Sequence, residues 1–218
     1  MAFFHSWGKQ LRKPEGKLGK IVVPFLMNMA NRQLIDWTID LLDIQPTDRV
    51  LELGFGPGFG IRKVASIATE GLVAGVDFSE IMVQKAQKRN ALAIARGQVD
   101  LKQGDVSSLP YDNQTFDKVI AIQLIYFCLP TYVFLKESQR VLKPGGKIAI
   151  SFISKEDMAK YKFAKTGVFN LYTGQDVLKI LDEVGFTQTH LDTKLCRPGK
   201  GICAIGRKSS ESLGEKLD

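Results

Sequence analysis

The sequence predicts an α/β fold, a doubly wound, mostly parallel seven-stranded sheet with an antiparallel last strand. Three observations carry this. From residue 49 onward, apolar runs of strand length alternate with amphipathic segments of helical period, as when helices cover both faces of a parallel sheet. The first run opens into "LELGFGPGFG" (51–60), a turn bare enough for a ligand to approach the main chain. The last two runs follow each other with no helical segment between them, and strands joined without a crossover are antiparallel.

Residues 33–43 carry Leu34, Ile35, Ile39, Leu41 and Leu42 at the spacing of an amphipathic helix. "RVLEL" (49–53) is the first strand, and 61–68 is a helix with Ile61, Val64, Ala65 and Ala68 on one face. "LVAGVDF" (72–78) is the second strand, after which Ser79 caps a helix running to about Ala95. Residues 99–106 and 116–123 form the third and fourth strands, and 131–142 is a helix stopped by "KPGG". The fifth strand spans 147–153. Thr173 and Asp176 begin the next helix as a capping box, Val177, Ile180, Leu181 and Val184 give it an apolar face, and Gly185 stops it. Strands at about 187–194 and 201–206 close the domain. Residues 154–173 read as irregular.

Composition limits what this domain does. Its 218 residues suit one globular domain (31–207) with an N-terminal arm (1–30) and a polar tail (208–218). The three cysteines form no Cys-x-x-Cys pair, so neither a zinc site nor a disulfide framework is indicated, and a cytoplasmic setting fits. The longest early apolar run, "IVVPFLM" (21–27), is short and broken by Pro24, which is no membrane span. The net charge is +7, but residues 1–20 hold five basic residues against Glu15 alone. The domain proper is only mildly basic, and no nucleic-acid partner is expected.

The glycine loop excludes two ligand classes. A dinucleotide fingerprint starting at Gly54 needs glycine where Phe59 stands, and one starting at Gly56 needs it where Ile61 stands. A phosphate loop needs Gly-Lys-Ser/Thr, and here Ile61-Arg62-Lys63 follows. Three acids share the carboxyl rim of the sheet, where such folds bind ligands. Asp77 ends the second strand and is placed for ribose hydroxyls. Asp105 ends the third and is placed for an adenine amino group. Glu52, just before the loop, could favour a cationic group.

Taken together, "VLELGFGPG", "GVDFSEIMVQKAQ", "GDVSSLPYDNQTFDKVIA" and "RVLKPGGKIAI" resemble, in order and spacing, the motifs of the class I S-adenosylmethionine-dependent methyltransferases. The chain looks like their small-molecule branch, which includes ubiquinone/menaquinone-biosynthesis-type enzymes. The likeness spans about residues 45–206 and implies a Rossmann-like fold with S-adenosylmethionine as cofactor. It places Gly54, Gly56 and Gly58 in the cofactor turn, Glu52 near the methionine end, and Asp77 with Phe78 at the ribose. Asp105 with Val106 lies at the adenine, and Gln123 on the same rim.

The reaction so implied is an in-line displacement on a methyl carbon, which proximity and alignment mainly accelerate. No general base is established by the sequence. Tyr126, past the fourth strand, is either an acceptor contact or core, and His5 reaches a pocket only if the arm folds over it. His190 reads as structural and Cys128 as a buried small residue. Aromatic residues in the arm, in 124–130 and in 154–173 favour an apolar or aromatic small-molecule acceptor. A non-catalytic binding protein on the same fold, or an enzyme acting on a membrane lipid, stays open. The arm reads as a lid, with a solvated tail and a transient contact with an anionic membrane as the alternatives.

Overall fold

The computed structural model describes residues 31–165, 167–196 and 199–210. The expectations for the arm and for most of the tail lie outside these residues. Seven strands form one sheet in the order β3-β2-β1-β4-β5-β7-β6. They are β1 (Arg49–Leu53), β2 (Leu72–Asp77), β3 (Val99–Gln103), β4 (Phe116–Ile122), β5 (Leu142–Ile153), β6 (Phe186–Leu195) and β7 (Lys200–Lys208). Strands β1 to β5 pair in parallel, and β7 runs antiparallel to both β5 and β6. The chain starts at the sheet centre, moves out to β3, and returns to place β4 beside β1. That reversal opens a crevice at the carboxyl ends of β1 and β4.

Helix α1 spans 31–41, followed by α2 (Phe59–Ile67), α3 (Glu80–Arg89), α4 (Ala91–Ala95), α5 (Thr131–Val141), α6 (Lys155–Met158) and α7 (Gly174–Val184). Successive strand residues point to opposite faces, so β1 supplies two cores. Val50 packs with Leu34, Leu42, Ile61 and Val64 beneath α1 and α2. Leu51 and Leu53 join Phe134, Leu135, Val177 and Leu181 beneath α5 and α7. The α7 capping box forms as expected: Thr173 Oγ1 accepts from the Asp176 N–H, and Asp176 Oδ2 from the Thr173 N–H. Gly185 closes the helix at φ 97°.

Five local expectations are corrected. The helix after Ser79 breaks at Asn90, whose buried carboxamide turns toward Gly58 O and Ala86 O. Ser79 makes no side-chain cap; its N–H is instead held by Asp77 Oδ1 at 2.8 Å. The third strand ends at Gln103 because Asp105 folds back, accepting from the Ser107 N–H (2.8 Å) and hydroxyl (2.7 Å). The fifth strand starts at Leu142, and the irregular stretch contains α6 and a 3-10 turn at Lys162–Lys165. Among the described residues no helix is long and apolar enough to cross a membrane.

Candidate functional site

A cavity of about 340 Å³ opens at the switch point. Of the residues expected at the cofactor, Gly54, Gly56, Asp77, Phe78, Asp105, Val106 and Gln123 line it. Four chain segments distant in sequence thus converge on one space. The opposite wall is apolar, with Leu124, Phe127, Leu129, Pro130 and Val133, and Met82 contributes from α3.

The glycine turn meets this cavity in an unusual way. Gly54, Gly56 and Gly58 have φ of 64°, 53° and 79°, a region costly for residues with a side chain. Their N–H groups are all engaged: Gly54 with Val76 O (2.8 Å), Gly56 with Asp77 Oδ2 (2.8 Å) and Gly58 with Phe55 O (3.1 Å). The three glycines therefore do not form a nest of free donors for a phosphate. What Gly56 offers is its bare Cα, since a Cβ there would meet no atom of the described residues within 4 Å.

Gly58 departs from expectation. A Cβ on it would lie 2.7 Å from Ala86 Cβ, so its bareness serves packing against α3 and it does not line the cavity. Glu52 also lies elsewhere, behind the turn in a smaller hollow that it shares with Asn31, Ile35 and Phe59. Gly60, unassigned from the sequence, is what admits it, because a Cβ there would collide with the Glu52 carboxylate. The pairing of an acid with a glycine eight residues later was the available signal.

Electrostatics mark the same region. Burial pushes the Glu52 carboxyl up to about 8, with the Asp77 charge adding and the Ile61 N–H opposing. Burial also raises Asp77, while its bonds from Ser79 and Gly56 pull the other way. Among the described residues, Glu52 Oε2 and Gln123 Oε1 are buried polar atoms with no hydrogen-bond partner. Gln123 sits at φ 59°, and its Nε2 donates to Asn31 Oδ1 at 3.2 Å, which fixes the direction of its free oxygen.

The catalytic candidates fare differently. Tyr126 is 2% exposed and does not contact the cavity. Its hydroxyl donates to Ile153 O (3.0 Å) and accepts from the Ile153 N–H (2.7 Å), and burial pushes the phenol up. It is a core residue, and the reading as acceptor contact is corrected. His5 lies outside the described residues. His190 is exposed on β6, its Nε2 3.6 Å from Asp192 Oδ2. Cys128, read from the sequence as a buried small residue, is half-buried and lines the cavity. Phe127 reaches the cavity, and Phe169 backs it at 4.9 Å between ring centroids.

A family model described as a methyltransferase domain matches residues 51–150. The uncharacterized methyltransferase YdaC of Bacillus subtilis is 29% identical over 188 residues, covering 86% of this chain and 98% of YdaC. A demethylmenaquinone methyltransferase of Bacillus cereus is 33% identical over 127 residues, 57% of this chain and 53% of that enzyme. The chain thus spans nearly all of one relative and about half of the other. A chain in the complex of the Haloferax volcanii Trm112 methyltransferase activator with a methyltransferase superposes with a TM-score of 0.75. It is 16% identical and covers 94% of this chain and 97% of its own length. A SAM-dependent methyltransferase from Aquifex aeolicus gives 0.67 at 18% identity, covering 93% and 97%. At these identities the structural likeness concerns the fold.

Proposed function

The chain belongs to the class I S-adenosylmethionine-dependent methyltransferases, and on that premise we propose that the cavity at the switch point binds S-adenosylmethionine and a small apolar or aromatic acceptor. One observation carries the reading. The turn presents an open Cα face at Gly56 while its glycine N–H groups are consumed within the protein. That surface suits a ligand that packs closely on the backbone without a pyrophosphate.

The residues present fit that cofactor. Asp77 keeps acceptor capacity beyond its two N–H bonds and holds the ribose. Asp105 and Val106 hold the adenine. The open oxygen of Gln123 is an acceptor for the ammonium of the methionine portion, and Glu52 offers a second from the adjoining hollow, which shares Gly54 and Gly56 with the cavity. When bound, S-adenosylmethionine supplies a methyl group on a sulfonium, already a good leaving group. The chain's own contribution is alignment and exclusion of water. Leu124, Phe127, Leu129, Pro130 and Val133 give the acceptor an apolar wall, and holding the two reactants in line supplies the larger share of the acceleration.

Titration calorimetry with S-adenosylmethionine, S-adenosylhomocysteine and NAD tests this. Binding of the first two and not the third is expected, and the reverse pattern overturns the proposal. Mass spectrometry of cell extracts incubated with enzyme and isotopically labelled cofactor then identifies metabolites that gain one methyl.

A further inference from the structure

The glycine turn is gripped from behind by the end of α3. Arg89 Nη1 donates to Pro57 O, and the same guanidinium lies 3.6 Å from the Phe59 ring centroid. The next residue, Asn90, is 4% exposed and donates from Nδ2 to Gly58 O (3.2 Å) and Ala86 O (2.8 Å). Two consecutive carbonyls of the turn are therefore held by two consecutive residues of another segment. Gly58 makes the grip fit, since a Cβ there would stand 2.8 Å from Asn90 Nδ2. From the other side, Asp77 Oδ2 holds the Gly56 N–H at 2.8 Å. Asp77 ends β2 and Arg89 ends α3, so one β–α unit encircles the turn.

Glycine adopts positive and negative φ with nearly equal ease. A turn with glycines at 54, 56 and 58 would sample many shapes unless something held it, and a ligand that orders a binding surface loses affinity doing so. We infer that Arg89 and Asn90 are positioning residues for the cofactor. They keep the turn in the one shape that offers the Gly56 Cα to the cavity, without touching the ligand themselves. The inference rests on the reading of this cavity as the S-adenosylmethionine site and deepens it. It also explains Phe59, which breaks the dinucleotide fingerprint, because its ring is the platform on which Arg89 lies.

The test compares Arg89→Met, Arg89→Lys and Asn90→Ala with Lys88→Ala as control, since Lys88 is an exposed neighbour on the same helix. Two readouts are taken: calorimetric Kd for S-adenosylhomocysteine, and amide hydrogen exchange at Gly56 and Gly58. Losing the Arg89 bond should raise Kd roughly tenfold and speed exchange at both glycines, with Tm within about 3 °C of the parent. Arg89→Lys should recover part of both effects, and Lys88→Ala should show neither. Parent-like Kd and exchange in Arg89→Met overturn the inference, as does a Kd change equal in Arg89→Met and Lys88→Ala. If the parent itself binds no S-adenosylhomocysteine, the functional reading fails. Exchange alone then decides the grip: faster in Arg89→Met upholds it, unchanged refutes it.

Discussion

Replacing Glu52 by Gln probes a deeply buried acid of the site. The carboxyl is 4% exposed and is raised from an ordinary 4.5 to about 8, first by burial and then by the nearby Asp77 charge. A folded value above the unfolded one means that the folded protein holds a proton that the unfolded chain has lost. Between pH 4.5 and 8 folding takes up that proton, so stability falls as pH rises. Each pH unit costs about 1.4 kcal/mol, giving an upper bound of about 5 kcal/mol by pH 8. Glutamine resembles the protonated acid and carries no such cost. Denaturant unfolding of parent and Glu52→Gln should agree near pH 5 and diverge as pH rises, the variant being the more stable at about pH 8 to 9. Asp77, also raised by burial, is coupled to Glu52 through its charge, so the difference between the two proteins reads the Glu52 proton together with its effect on Asp77. A difference that stays constant within about 1 kcal/mol from about pH 5 to 9 would refute the proton linkage. The same proton should appear in binding. A cationic ligand beside Glu52 favours the ionised form, so binding at neutral pH should release a proton. Calorimetry in two buffers of different ionisation enthalpy measures that release, and Glu52→Gln should abolish it.

The two glycines with opposite surroundings should separate when each is replaced by alanine. Both carry a backbone strain of about 1–2 kcal/mol. Gly56→Ala should stop there in stability yet lose S-adenosylhomocysteine binding, whereas Gly58→Ala, which would meet Ala86 at 2.7 Å, should destabilise further by chemical denaturation. Asp77→Ala removes the acceptor for two N–H groups of the site. It should weaken cofactor binding by roughly 1–3 kcal/mol, and unchanged affinity in calorimetry would show that the carboxylate holds neither turn nor ligand. Tyr126→Phe leaves the buried N–H and C=O of Ile153 without their partner. A loss of roughly 1–3 kcal/mol in unfolding free energy is expected, and a neutral result would mean that water replaces the hydroxyl.

The sheet and the location of the site are legible in the amino-acid order, because both rest on local, periodic information. Alternating apolar runs specify strands and helices, the missing crossover before 201–206 specifies the antiparallel β7, and the glycines at 54 and 56 mark where a backbone must be bare. The strand-end acids Asp77 and Asp105 are legible for the same reason, since a strand end is a local feature and the fold class says which rim it joins. Which atom faces which emerges only from the packed molecule. Asn90 and Ser79 follow helix rules in the sequence, but a buried carboxamide beside Gly58 breaks α3 at its end and Asp77 takes over the bond at its start. Tyr126 sits where an acceptor contact is expected, yet its hydroxyl is consumed by Ile153, 27 residues away. Glu52 and Gly60 share one space behind the turn, and Arg89 reaches back 32 residues to Pro57. None of these follows from spacing, because each depends on how two distant segments pack, and packing fixes both a side chain's direction and the desolvation that raises its carboxyl.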